Sequence, residues 1–168
     1  MFNNDNIINS LRPVGDNSYF FMSNRFSLHN LFSFMLSKTG PAFVRISTFS
    51  LCESAIRNFI RHSAQGDITG AAVLLDISLA RRNIDKLLFM NNVLSDVRLI
   101  DNHSKIIICQ PTDGDSLIYI GSANFNDNRK YECGFLTSAP DVVSVASEAF
   151  DDLYNHSLPL LCSLPMTK

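Results

Sequence analysis

An α/β fold, with a mixed sheet between helices in an α-β-α sandwich, follows from three features of the sequence. The first half alternates strand-like and helix-like segments, the second strings together short apolar runs separated only by turns, and a last helical pattern begins at Pro140. Alternating strands and helices build layered α/β folds, and strands joined by tight turns pair antiparallel. The sheet should therefore carry both kinds of pairing, with helices on both faces.

Each element has its own signal. Residues 1–17 form a polar leader containing Pro13 and Gly15, and the folded domain is expected over residues 18–168, starting with the apolar patch Tyr19–Met22. Leu28, Leu31, Phe32 and Met35 fall at i, i+3, i+4 and i+7, a helix with one buried stripe that Gly40-Pro41 ends. Phe43–Phe49 is a strand. Ser50-Leu51-Cys52-Glu53 has the form of a capping box, opening a helix on Ile56, Phe59 and Ile60 that stops near Gly66. Gly70–Leu75 is nearly continuous in apolar character, as in a strand covered on both faces. A helix over Ser78–Asn91 should turn Leu79, Ile84, Leu87 and Leu88 inward. Val97–Ile100, Lys105–Cys109, Leu117–Ile120 and Cys133–Leu136 are short strands, with Asp113-Gly114 as a hairpin turn. The helix from Pro140 should bury Val142, Val145, Ala146, Ala149 and Leu153.

Composition narrows the function classes. With 168 residues, 46% hydrophobic and 18% charged, the chain suits one domain with a substantial core. A net charge of −2 excludes a global basic field, so any polyanion site must be local. Cys52, Cys109, Cys133 and Cys162 show no C-x-x-C pair or regular spacing. Free thiols in a reducing, cytoplasmic setting are expected rather than a zinc or disulfide framework. No secretory signal is visible, and no run approaches the ~18 apolar residues of a membrane span, so no membrane partner is expected.

The chemistry concentrates in Asp101–Leu136, DNHSKIIICQPTDGDSLIYIGSANFNDNRKYECGFL. His103 and Lys105 lie two apart at the head of a strand and share a face. The Asp113-Gly114 hairpin folds the next strand back, returning Gly121, Ser122 and Asn124 toward His103, and Glu132 opens the strand after that. An imidazole, a fixed cation, neutral donors and a carboxylate suit a phosphodiester. Lys105, Asn124 and Ser122 could stabilise charge developing on the non-bridging oxygens, and Glu132 could hold one imidazole nitrogen protonated while the other attacks phosphorus. Each piece alone is weak, since a lone histidine before a strand is usually structural. The conjunction on consecutive strands carries the argument. Arg57 and Arg61 on one helix, and Arg81, Arg82 and Lys86 on another, are candidate phosphate-backbone contacts or simply solvated helix faces.

This stretch resembles the phospholipase D superfamily, whose signature is H-x-K, an Asp five positions on, then G-S-x-x-N or G-S-x-N. The resemblance implies His103 as nucleophile, Lys105 and Asn124 as phosphate ligands with Ser122 and Gly121 assisting, and Glu132 as the acid supporting the histidine. SANFNDNRKYE also resembles a form found in small mobile-element members, which adds Arg129 as a substrate contact. Where the family has its Asp this chain has Gln110, and the interval from Lys105 to Gly121 is longer than usual, so an enlarged hairpin would pass that role to Asp113 or Asp115. Family active sites use two motifs, yet of His29, His62, His103 and His156 only His103 is followed by Lys two residues on. The resemblance therefore implies a homodimer with two His103 residues across a twofold axis, one attacking phosphorus and one acting as general acid, with no metal or other cofactor required.

The leading expectation is thus a metal-independent nuclease acting through a phosphohistidine. The rivals are a nucleic-acid-binding dimer that has lost turnover and a phospholipase D-type lipid phosphodiesterase.

Overall fold

A computed structural model describes residues 4–79, 87–89, 96–127 and 130–160. Its nine strands form one sheet in the order β1-β2-β8-β7-β6-β3-β4-β5-β9. They are β1 (Arg12–Gly15), β2 (Ser18–Ser23), β3 (Ala42–Thr48), β4 (Ile68–Asp76), β5 (Val97–Ile100), β6 (Ile106–Pro111), β7 (Leu117–Gly121), β8 (Glu132–Thr137) and β9 (Leu158–Pro159). The described helices are α1 (Asp5–Ile8), α2 (Leu28–Thr39), α3 (Glu53–Ala64) and α4 (Pro140–Asn155). Among the described strands, β3–β4 and β4–β5 pair parallel and the others antiparallel, so the sheet is mixed, as the turn-linked second half requires.

Side-chain alternation divides the core between the two faces. Val73 and Leu75 of β4, Ile46 of β3 and Ile107 of β6 join the cluster built with α2 and α3, which contains Leu31, Phe32, Met35, Ile56 and Phe59. Ala72 and Leu74 point the other way, to Phe150 and Tyr154 of α4, and Ile108 and Ile118 meet Val143. Helices therefore cover both faces, which explains the nearly unbroken apolar run of β4.

Several elements differ from expectation. The polar leader holds α1, whose Ile7 is fully buried, and the edge strand β1, which pairs with β2. Ser50 caps no helix. Leu51 bridges Phe125 and the Cys52 N–H donates to the Phe125 carbonyl at 2.8 Å, which holds residues 51–52 extended and delays α3 until Glu53. Glu53 then pairs with Arg57 rather than closing a capping box. On α4 the buried residues are Val143, Phe150 and Tyr154, with the expected Val142 and Ala146 partly buried beside Val143, while Val145 is 67% exposed and Leu153 is 38% exposed. The two large rings cover more sheet than the aliphatic stripe, and they set the helix rotation. Leu79 and Leu87 are buried as expected but Leu88 is exposed; Ile84, Arg81, Arg82, Lys86 and Cys162 lie outside the described residues. Cys52, Cys109 and Cys133 are free thiols. Among the described residues, no helix is long and apolar enough to cross a membrane.

Candidate active site

The sheet brings one end of β3, β6, β7 and β8 together. The ladder pairs Ser47 with Ile106, Ile106 with Ile120, and Gly121 with Gly134. The residues just beyond these pairs, Thr48–Phe49, His103–Lys105, Ser122–Asn124 and Glu132, therefore crowd one rim.

The segment entering β6 is fixed by a residue outside the motif. Asn102 is buried; its backbone N–H donates to Asp76 Oδ2 at 3.1 Å and its Nδ2 donates to Ser47 Oγ at 2.8 Å. Its Oδ1 accepts from the Ser104 N–H at 2.9 Å, a local turn that presents His103 outward. His103 is exposed, with its ring 5.0 Å from that of Phe49 at 51°.

Lys105 runs back beneath the histidine. Its Nζ lies 3.0 Å from His103 Nδ1 and donates to the His103 carbonyl at 2.5 Å. Lys105 is only 7% exposed, and burial lowers its pKa, opposed by the nearby Glu132 carboxylate. An incompletely hydrated ammonium that the fold already holds in place is a good partner for an incoming anion.

Asn124 reaches the same place from β7. Its Oδ1 accepts from the Phe49 N–H at 3.2 Å and from Thr48 Oγ1 at 3.3 Å, so the amide is held by its oxygen. Phe49 thus touches both His103 and Asn124 and defines their common neighbourhood.

Gly121 leaves room for close packing. A side chain at Gly121, or at its cross-strand partner Gly134, would run into the Tyr119 ring. Tyr119 lies fully buried across this glycine pair and accepts the Ala123 N–H at 3.2 Å, shaping the turn that carries Ser122 and Asn124. Ser122 is tied into the same ladder: its N–H donates to the Cys133 carbonyl at 2.9 Å, and its hydroxyl accepts from the Cys133 N–H at 3.0 Å and donates to Glu132 Oε2. Glu132 is therefore held by Ser122 and acts electrostatically on Lys105, while the neighbour of the imidazole Nδ1 is Lys105.

Asp113 and Asp115 sit exposed on the β6–β7 hairpin, at the end of β6 opposite Lys105. Gln110 instead accepts from Arg45 Nη1 at 2.8 Å, and Arg45 is paired in two-pronged fashion with Asp151 of α4 at 2.8 and 2.9 Å. Arg129 lies outside the described residues. Arg57 is engaged by Glu53, and Arg61 Nη2 reaches Ser33 Oγ at 3.3 Å, so neither extends this rim.

Sequence reasoning missed Asn102, Asp76 and Phe49. An Asn directly before the motif is a turn signal, but its partners Ser47 and Asp76 are distant in the chain and only the sheet shows them.

No protein-family model and no curated protein matches this chain. Solved structures do resemble it. NucT from Helicobacter pylori superposes with a TM-score of 0.68 at 18% identity, over 84% of this chain and 98% of that one. Nuc from Salmonella typhimurium, a phospholipase D family member, gives 0.60 at 18% identity over 76% and 88%. TrmBL2, an archaeal chromatin protein with a novel mode of DNA binding, gives 0.59 at 15% identity, with 86% of this chain matching 54% of that one. The chain has a phospholipase D-type fold.

Proposed function

We propose that this chain is a single-motif member of the phospholipase D superfamily and a nuclease that cleaves nucleic-acid phosphodiester bonds through a phosphohistidine. The observation that carries the reading is the meeting of His103, Lys105 and Asn124 around Phe49, an exposed imidazole beside a buried ammonium and an oriented amide. On substrate binding, Lys105 Nζ moves from His103 Nδ1 to a non-bridging oxygen, and Asn124 Nδ2 donates to the same group. One imidazole nitrogen then forms a bond to phosphorus, the P–O bond to the leaving nucleotide breaks, and the leaving oxygen takes a proton from the second subunit's histidine. Water then attacks phosphorus while giving a proton back to the second subunit's histidine, the P–N bond breaks, and the imidazole is regenerated as the phosphate-ended product leaves. Lys105 supplies the positive charge for the transition state, so the chemistry asks for no metal.

One motif per chain calls for a homodimer. Met22, opposite Cys133 in the β2–β8 ladder, is 66% exposed, and Tyr131 beside Glu132 is 71% exposed. A second copy would cover this apolar margin of the rim.

The likeness to a chromatin protein favours one second reading, a dimer that binds DNA without cutting it. Incubating the protein with labelled DNA and RNA in EDTA, beside His103→Ala, separates the two. Chelator-resistant cleavage that disappears with His103 supports the nuclease. Retention of intact strands supports the binding dimer, and headgroup release from phospholipid vesicles would move the substrate to lipid.

A further inference from the structure

We propose that His29, Cys52 and Asp127 form a zinc site that fastens the loop following Asn124 to the starts of α2 and α3. The three residues come from the first turn of α2, the residue preceding α3, and the loop beyond β7. One ligand atom from each lies within 4.8 Å of the other two, and His29 Nε2 is 3.8 Å from Asp127 Oδ1. Zinc bonds of about 2.0–2.3 Å in a tetrahedral arrangement separate ligand atoms by about 3.3–3.8 Å, so closing the site takes a contraction of roughly 1 Å.

The surroundings of the three side chains bear on this site. His29 Nε2, the nitrogen nearest Asp127, also lies 2.9 Å from Ser27 Oγ, a contact that zinc at this nitrogen would replace, while Nδ1 is buried without a hydrogen-bond partner. Ser54 orients both remaining ligands: its hydroxyl lies 2.9 Å from Cys52 Sγ and donates to Asp127 Oδ2 at 2.6 Å. Cysteine, histidine and aspartate together suit a borderline-soft divalent ion, and three protein ligands leave one coordination position for water. Binding would release the Cys52 thiol proton to solvent. An open hollow bordered by Ser27, Asn30, His29 and Asp127 gives the ion a path from solvent.

The test is metal content and melting temperature on the whole chain, stripped with chelator and dialysed against zinc. One zinc per chain is expected, with Tm raised by about 5 °C or more at saturating zinc. Cys52→Ser and Asp127→Asn should each cut occupancy at least tenfold, whereas His156→Ala, at the exposed end of α4, should leave it at one. Cobalt substitution should give a sulfur-to-cobalt charge-transfer band that Cys52→Ser abolishes. Should Cys52→Ser fail to fold, Asp127→Asn still decides, because Asp127 is exposed. Zinc content well below one equivalent in the wild type, or unchanged in Asp127→Asn, overturns the proposal. None of these readouts depends on cleavage, so they stand or fall separately from the nuclease reading.

Discussion

Two polar clusters flank the loop after β7, and the chain assembles them in different ways. His103, Lys105, Asn124 and Glu132 come from one stretch of thirty residues, and β6, β7 and β8 deliver them as neighbours through ladder register. His29, Cys52 and Asp127 are separated by 23 and 75 residues and meet only because α2, α3 and the loop dock together. Register is a local rule with a period of two; helix docking depends on the whole core. The first cluster could be read from a linear motif. The second could not.

The comparison breaks first at the histidine. His103→Ala should lower cleavage by about 10⁴-fold or more in a single-turnover assay while leaving zinc stoichiometry unchanged. Cys52→Ser should do the reverse, losing zinc and thermal stability while keeping cleavage in assays run well below its melting temperature. If either variant loses both properties at that temperature, the two clusters are one site. Lys105→Met should reduce kcat by about 10²–10³-fold, the effect of removing one fixed charge from the developing oxyanion.

Asn102→Ala sharpens the contrast by testing positioning. It removes the bonds to Ser47 and Ser104 that present His103, so it should lower kcat by about tenfold or more with little change in KM. It should also cost about 1–3 kcal/mol in urea unfolding, since Ser47 Oγ loses a buried partner. Tyr119→Phe leaves the Ala123 N–H unpaired and should cost about 1–2 kcal/mol of stability with a smaller loss of activity.

The smallest effect is on pH. Burial holds the His29 pKa below its ordinary value, so the unfolded chain binds the proton more tightly than the folded one. Stability of the metal-free protein should therefore be intact above about pH 6.5 and decline as pH falls below it. His29→Gln should flatten that decline in thermal melts taken across this range.

Much of the architecture was legible because its signals are local. The α2 stripe of Leu28, Leu31, Phe32 and Met35 is buried as its spacing predicts, and β4 reads as doubly covered because Ala72 and Val73 pack on opposite faces. The rotation of α4 was not legible, since two apolar stripes were available and contact with the sheet chose the one bearing Phe150 and Tyr154. The start of α3 was hidden for a related reason: Leu51 answers to Phe125 across the fold rather than to a cap next door. Within the rim, the residue types were readable but not their partners. Glu132 meets Ser122, and Asn124 meets Thr48 and Phe49, because each pairing is set between elements rather than along one strand.

The central claim is that the exposed imidazole at the head of β6 forms a bond to phosphorus. The direct measurement is to quench the protein in alkali during turnover of an oligonucleotide carrying labelled phosphate, then separate protein from free nucleotide. The account predicts label on the protein at His103, released by mild acid as expected for a P–N bond, and absent from His103→Ala. Cleavage that proceeds equally well in His103→Ala, or label that maps to another residue, would contradict it.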